Sequence, residues 1–384
     1  MSHSNPYRTM MDYLDNLVKS RFIEMFGDVN SNEKGFKEST IGDTCIIRDS
    51  ERVPITSSDR EPGPYPYYGA NGLQDYVKDF IFDGEFVLMA EDGGYFDDLA
   101  RPNSYYVSGR CWVNNHAHIL QPGEELNIHY LDWAIKHRDL RSLVNGTTRA
   151  KLTQAAMRKI KILVPPMSMQ NDFATFLKEV DKSKAVVQKC IEKYDQLVKS
   201  RFIELFELYK NQQSCIYNYE DICITITDGE HATPKRSEYG VYLLSARNIQ
   251  NHSLSLEDVD FIPLEEYERI SKRIVPQKGD VLISCSGTIG RVCTIPADMK
   301  CQMVRSVALL RLKESVNPTY FEWLVDSTFT QSQIEKAIHQ STQANLFQGK
   351  IRKLIAVVPP KNIQNEFASF VEQVDKSKFK SNDT

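Results

Sequence analysis

Two short texts are each written twice in this chain, and their order limits what it can fold into. DNLVKSRFIEMF (Asp15 to Phe26) returns as DQLVKSRFIELF (Asp195 to Phe206), and from Asp15 to Glu24 only Asn16/Gln196 differs. PPMSMQNDFATFLKEVDKSK (Pro165 to Lys184) returns as PPKNIQNEFASFVEQVDKSK (Pro359 to Lys378), identical at 12 of 20 positions counted directly. One motif stands near the start, the other near the end, and in the middle they fuse from Pro165 to Phe206. The segments between them, 31–164 and 211–358, look unlike each other. The connectors are alike and the globular parts have diverged. Two repeats are too few for a solenoid.

The connectors read as helices. Across the middle one, Phe173, Leu177, Val180, Lys184, Val187, Ile191, Tyr194, Val198, Arg201 and Leu205 alternate in steps of three and four, a coiled-coil seam with two charged interruptions. Tyr7, Met11, Leu14, Val18, Arg21 and Met25 keep the same phase. Ser168 and Asn362 are placed to cap the helices that follow the Pro-Pro pairs, with Asp172 and Glu366 expected in the first turn. From Ser168 to Phe206 the helix would measure about 58 Å. The N- and C-terminal stretches together reproduce the central one, so they are expected to pack against it; a dimerising coiled coil is the alternative.

The expected organisation is an N-terminal half-repeat helix (1–30), a globular domain (31–164), the central helix (165–210), a second globular domain (211–358) and a C-terminal half-repeat helix (359–384). Both globular segments show short β-like runs broken by Gly, Asn and Pro. These are Tyr65 to Val77, Phe82 to Gly94 and Arg110 to Leu120 in the first, and Ile226 to Gly240, Val241 to Asn251 and Lys278 to Ile295 in the second. Each ends in a more helical tail, HYLDWAIKH or TYFEWLVDS. The fold class is therefore α+β: two globular domains separated by long antiparallel coiled-coil-like helices, with a pseudo-two-fold internal repeat.

Charge singles out two places. The chain has 384 residues and a net charge of −4, which argues against an indiscriminately basic binder. Yet no acid falls between Asp139 and Asp172, where Arg141, Arg149, Lys151, Arg158, Lys159 and Lys161 stand. None falls between Glu335 and Glu366, which hold Lys336, Lys350, Arg352, Lys353 and Lys361. One such run is ordinarily a solvated face; a matched pair points to phosphate contacts. Each lies near a polar turn, VNGTTRAKL (Val144 to Leu152) or HQSTQANLF (His339 to Phe347), whose side chains could meet phosphates and base edges or serve as caps.

Catalytic and metal signatures are missing from the text. GTIG at Gly287 lacks the lysine and length of a P-loop, and neither EDGG nor YGANG matches a dinucleotide fingerprint. There is no G-x-S-x-G elbow, no H-E-x-x-H helix, no C-x-x-C pair among the eight cysteines, and no [ND]-P-P-[FYW]. The cysteines read as free thiols. His116 and His118 sit on strand-like alternation and read as structural. Asp92, Asp97 and Asp98 could hold magnesium, but the second half has no counterpart. Neither a catalytic residue, a bound metal nor a cofactor is expected in this chain. With no signal-peptide core and no long apolar run, a soluble cytoplasmic protein is expected.

The chain resembles the specificity (S) subunit of type I restriction–modification systems along nearly its whole length. The resemblance rests on the twice-used PP-x-x-x-Q-N-x-F (Pro165 to Phe173, Pro359 to Phe367), the LVKSRFIE-x-F exit, and YPYYGANG, FDGEFVLMAEDG, VNNHAHIL, DGEHATP, SARNIQN and GDVLISCSGTIGR. It implies two target recognition domains reading a bipartite, asymmetric sequence in double-stranded DNA. It also implies conserved helices that space the domains and dock two methyltransferase (M) subunits. S-adenosylmethionine chemistry would belong to the M subunits, and ATP/Mg-driven translocation and cleavage to restriction (R) subunits. The helix at residues 7–26 departs from the many members that begin directly with a domain. For DNA contact the candidates are Asn71, Gln74, Thr147, Thr148, Arg149 and Lys151 in the first domain. In the second they are Thr233, Lys235, Arg247, Asn248, Thr288, Arg291, Gln343 and Asn345. All are turn residues that could instead bond their own backbone. A coiled-coil adaptor whose globular ends bind protein is the rival reading.

Overall fold

The computed structural model describes residues 6–96, 98, 100–145, 150–296, 299–339 and 345–380. The chain divides into two compact units, Met10–Val186 and Val187–Thr384 together with Met1–Thr9. The helices are α1 (Pro6–Phe26), α2 (Ile41–Thr44), α3 (Ile128–Lys136), α4 (Gln154–Met157), α5 (Met167–Tyr209), α6 (Tyr219–Ile222), α7 (Leu264–Ser271), α8 (Pro318–Asp326), α9 (Thr328–His339), α10 (Gln348–Arg352) and α11 (Lys361–Lys380).

In the Met10–Val186 unit the strands are β1 (Lys37–Thr40), β2 (Cys45–Ile47), β3 (Pro62–Gly69), β4 (Gly72–Val77), β5 (Phe82–Ala90), β6 (Ser104–Val113), β7 (Ala117–Pro122) and β8 (Lys161–Val164). In the other unit β9 (Ile216–Asn218), β10 (Cys223–Asp228), β11 (Val241–Leu244), β12 (Ile249–Gln250), β13 (Ser253–Leu254) and β14 (Asp260–Ile262) come first. β15 (Val281–Ser284), β16 (Val292–Thr294), β17 (Cys301–Met303), β18 (Val307–Leu312) and β19 (Ile355–Val357) complete it.

The two diverged domains share a framework that their sequences conceal. One sheet runs β2-β7-β5-β6 and continues through β3 and β4; the other runs β10-β18-β15-β16. Taken in chain order, the four common strands occupy the same places in both sheets. Each domain also closes on a two-stranded ribbon, β1 with β8 or β9 with β19, antiparallel in both cases. The second domain adds the three-stranded sheet β14-β11-β17 and the hairpin β12-β13. What diverged is therefore the inserted strands and the loops, while the ladder beneath them is common.

The repeated text forms the repeated core. In the Met10–Val186 unit α1 runs antiparallel to the start of α5. Phe173 meets Phe22 and Phe26 at 5.3 and 5.7 Å between ring centres, and Lys184 pairs with Asp15 at 2.6 Å. In the other unit the end of α5 meets α11. Phe202 lies 5.6 Å from Phe367, and Arg201 pairs with Glu366 at 3.4 Å. Tyr130 and Trp133 of α3 complete the first aromatic cluster; Tyr320 and Trp323 of α8 complete the second. Val18, Phe173, Val180, Val198 and Leu205 of the expected seam are buried. So is Phe202, which the seam omitted.

The helix starts differ from expectation. α5 and α11 begin at Met167 and Lys361, one residue before Ser168 and Asn362, which lie inside the first turn and cap nothing. Asp172 and Glu366 fall in the second turn, away from the helix end. Buried glutamines fix the starts instead. Gln170 donates through Nε2 to the carbonyls of Pro165 (2.8 Å) and Glu125 (3.0 Å), and its Oε1 accepts the Asn127 N–H at 2.8 Å. Gln364 repeats this with Pro359 (2.7 Å), Ser315 (3.1 Å) and Asn317 (2.8 Å). Asn127 and Asn317 in turn cap α3 and α8, and bond Asn171 and Asn365. The Q-N of the repeated motif is thus a staple between a connector helix and its domain, satisfying backbone groups that burial would otherwise orphan.

Candidate nucleic-acid interface

The shared framework brings the same loops to the same end of each common sheet. After β5 the chain turns through Glu91–Gly94; after β15 it turns through Cys285–Gly290. Gly93 and Gly287 hold φ of 67° and 69°, the left-handed region glycine reaches without strain. The Glu91 N–H donates to His116 O at 2.8 Å, and the Cys285 N–H to Ser306 O at 2.7 Å. The described ends of the polar turns singled out in the sequence, at Leu152 and Leu346, dock on these loops. Leu152 N–H reaches Glu91 O (2.8 Å) and Leu346 N–H reaches Cys285 O (3.0 Å). Leu152 and Leu346, from unlike domains, therefore occupy one equivalent position.

In the first domain a buried ionic network anchors that turn. Asp49, Glu91 and His118 converge closely enough to resemble a metal site. Each is already occupied: Arg52 reaches Glu91 (2.7 Å) and Asp49 (3.6 Å), and Lys151 reaches Glu91 (3.0 Å). His118 faces Asp49 (2.6 Å) and the Leu152 carbonyl (2.8 Å). A cation would have to displace two positive side chains, so the arrangement is a structural tie. Burial opposes ionisation of Asp49, but bonds from His118, Gln154 and the Ile119 N–H outweigh it and hold the carboxyl below its usual range. Burial likewise opposes the Glu91 charge, and Arg52 and Lys151 overcome it.

The candidate residues separate by environment. Asn71 is exposed in the β3–β4 turn and donates to Gly93 O at 2.9 Å, which places it beside the post-β5 loop. Gln74, exposed on β4, accepts from Asn114 at 3.0 Å. Lys151 is half exposed but held by Glu91. Thr147, Thr148, Arg149 and Gln343 lie outside the described residues. Thr233 and Lys235 are exposed, with the Lys235 N–H on Glu266 of α7 (3.2 Å). Arg247 is committed to Asp260 (2.9 Å) and Asp258 (3.7 Å).

Asn248 is a correction. It is buried, its Oδ1 accepts from Ser245 and its Nδ2 donates to Ser255, so its amide closes the β11–β12 turn and offers nothing outward. Thr288 is exposed, Arg291 half-buried and Asn345 half-buried, all around the end of β15. Sequence reasoning missed Arg305, exposed on the segment leading into β18, although an arginine two residues before the apolar run VALL was its signal. It also missed α7 and the two glutamine staples.

His252 gives the second domain a pH-dependent tie. The ring stacks on Trp323 at 3.9 Å, with Nδ1 2.8 Å from Glu322 and Nε2 3.3 Å from Asp326. Burial works against its charge, but bonds to Asp326 and Glu322 outweigh this and raise its pKa from 6.5 to about 9. A raised folded-state pKa contributes stability that is complete below pH 6.5 and lost as pH climbs through about 9. The stability difference between wild type and His252→Gln should therefore shrink steadily over that window in denaturant titrations; a difference independent of pH would refute the tie.

Among the described residues, no helix is long and apolar enough to cross a membrane. All eight cysteines are free and seven are buried.

Known proteins resemble this chain in sequence. A provisionally named type I restriction enzyme specificity subunit of Haemophilus influenzae is 31% identical over 267 residues, 65% of this chain and 66% of that protein. The EcoprrI specificity subunit of Escherichia coli is 24% identical over 151 residues, 38% of this chain and 36% of its own. The chain thus spans between about a third and two thirds of these curated relatives. The crystal structure of a type I restriction-modification S subunit from M. genitalium aligns over 90% of both chains at 13% identity and a TM-score of 0.48, too loosely to carry an argument. The model of the type I restriction modification DNA specificity domain matches twice, at residues 33–193 and 210–383, each match covering one domain with its connector helix. The chain belongs to the type I restriction modification DNA specificity family.

Proposed function

We propose that this chain is the sequence-reading, non-catalytic subunit of a type I restriction–modification complex, each globular domain recognising one part of a split and asymmetric DNA target. The observation that carries this reading is the doubled apparatus. One framework presents equivalent loops twice, and those loops differ in sequence, as readers of two different half-sites must. The connector helices, by contrast, repeat their exposed residues. Leu17, Ser20, Arg21, Glu24 and Phe176 line a groove on one helix pair; Leu197, Ser200, Arg201, Glu204 and Phe370 line its counterpart. Ile23 and Ile203 are both exposed. Apolar surface kept identical on both repeats fits one kind of partner bound twice, and two M subunits meet that description. In this reading the M subunits supply the S-adenosylmethionine chemistry at adenine N6, and R subunits the ATP-dependent steps.

The continuous helix α5, 43 residues and about 65 Å long, favours a spacer set by helix length. Methyladenine sequencing in a host expressing this chain with its M partner should return one bipartite motif. Inserting four residues beside Gln188 should then lengthen the unread spacer, because about 6 Å of helix corresponds to about two base steps. Methylation of the original motif at its original spacing would sink the ruler. DNA binding that is absent even at low salt would favour the protein-binding adaptor.

A further inference from the structure

At one end of the β10-β18-β15-β16 sheet, two arginines have no counter-ion among the described residues. Ser284, the last residue of β15, is flanked on both sides. Its N–H donates to Arg291 O and its Oγ accepts from the Arg291 N–H, both at 2.9 Å. Across the other edge it pairs with Val307, while Cys285 N–H bonds Ser306 O at 2.7 Å. Arg305 is the next residue back, its N–H held by Glu230 O at 3.0 Å. Two more segments arrive at the same point, Ala246 N–H on Ser306 Oγ (3.0 Å) and Leu346 N–H on Cys285 O (3.0 Å). Both arginine backbones are therefore fixed by the sheet rather than by a free loop.

Their charges are what set them apart. Arg236, Arg247, Arg269, Arg273 and Arg311 each pair with an Asp or Glu. Arg352 donates to the Ile226 carbonyl. Arg291 and Arg305 have no carboxylate partner among the described residues. Next to them the turn exposes Thr288, and Gly287 has open space where a side chain would begin, so another molecule can approach the backbone. Five of the domain's other arginines pair with carboxylates and the sixth, Arg352, with a carbonyl, whereas these two stand at one rigid edge with no carboxylate partner among the described residues.

We propose that Arg291 and Arg305 are specificity-determining residues of the second domain, each reading a guanine edge in the major groove. This rests on the DNA-reading function above. A guanidinium presents two parallel N–H donors that match guanine O6 and N7, a pairing that a lysine reproduces only as a point charge. The anchored backbones supply the positional accuracy that base readout needs and phosphate attraction does not.

The test uses the full chain with its M partner, reading the methylated motif by sequencing and binding as a function of salt. Arg291→Ala and Arg305→Ala should each make one position in one part of the motif degenerate, with discrimination there falling about 5- to 150-fold. The other part should stay intact. Arg305→Lys should lose the same discrimination while keeping the salt dependence. Because neither side chain holds the fold, the thermal midpoints of all variants should match wild type. An unchanged motif with uniformly weaker binding and a shallower salt slope would make these phosphate contacts and overturn the proposal, as would unchanged motif and affinity. A wild-type complex that methylates no defined motif would overturn the DNA-reading function itself, and the base assignment with it.

Discussion

Replacing Phe173 by alanine should lower the unfolding free energy of the Met10–Val186 unit by about 3–5 kcal/mol, the range for deleting a fully buried aromatic ring. Phe173 is completely buried, with Phe22, Phe26 and Trp133 within 5.3 to 6.0 Å, mostly edge to face. Three different elements, α1, α3 and α5, meet on that one ring, so the cavity cannot close by moving a single neighbour. Phe367→Ala should act equally on the other unit, where Phe202, Tyr320 and Trp323 surround it at 5.6 to 6.3 Å. Tryptophan fluorescence separates the two. Trp112 and Trp133 report on the first unit and Trp323 on the second, so denaturant titrations of each variant should move one set and spare the other. A loss below about 1 kcal/mol, within the ordinary scatter of point substitutions, would mean that the duplicated motif does not form the core described above.

The second large effect is expected at the glutamine staples. Gln364→Leu keeps the volume but strands the Asn317 N–H and the carbonyls of Ser315 and Pro359 in a buried site. An orphaned buried group costs about 1–3 kcal/mol, and three together place the loss on the order of 3–5 kcal/mol after partial relaxation. Gln170→Leu should match it in the first unit, through Asn127, Glu125 and Pro165. Gln364→Glu is the sharper variant. It can still accept from Asn317, yet it sets a carboxylate against two carbonyl oxygens, so its penalty should grow as pH rises above the usual carboxylate range. Hydrogen exchange should show the Asn317 amide losing protection ahead of the rest of α8. Protection equal to wild type in both Gln364 variants would remove the staple from the account.

These positions show how far the sequence could be read. The repeated motifs gave away the connector helices and their pairing, because an apolar seam in steps of three and four has few other uses. The strands at Phe82 and Val281 and the helical tails at Tyr130 and Tyr320 were visible in the same way. The glutamines were noticed only as repeated letters, since their bonds go to backbone groups about 45 residues away. The equivalence of the two domains was hidden for a related reason. A ladder of backbone hydrogen bonds tolerates almost any apolar side chains, so β5 and β15 hold one place while sharing little text.

Charge drew the line most clearly between sequence and structure. The two acid-free stretches pointed to exposed positive surface, but Lys151 finds Glu91 and Lys161 finds Glu38, carboxylates delivered by strands far away in the chain. Arg291 and Arg305, which have no carboxylate partner among the described residues, belong to neither stretch. The sequence by itself determined the repeat, its helices, the α+β class and the family resemblance, because local periodicity and recurring motifs are written along the chain. Only the tertiary structure decided which polar residues remain free to act. Neutralisation and burial depend on neighbours brought together by folding, and linear spacing carries no record of them.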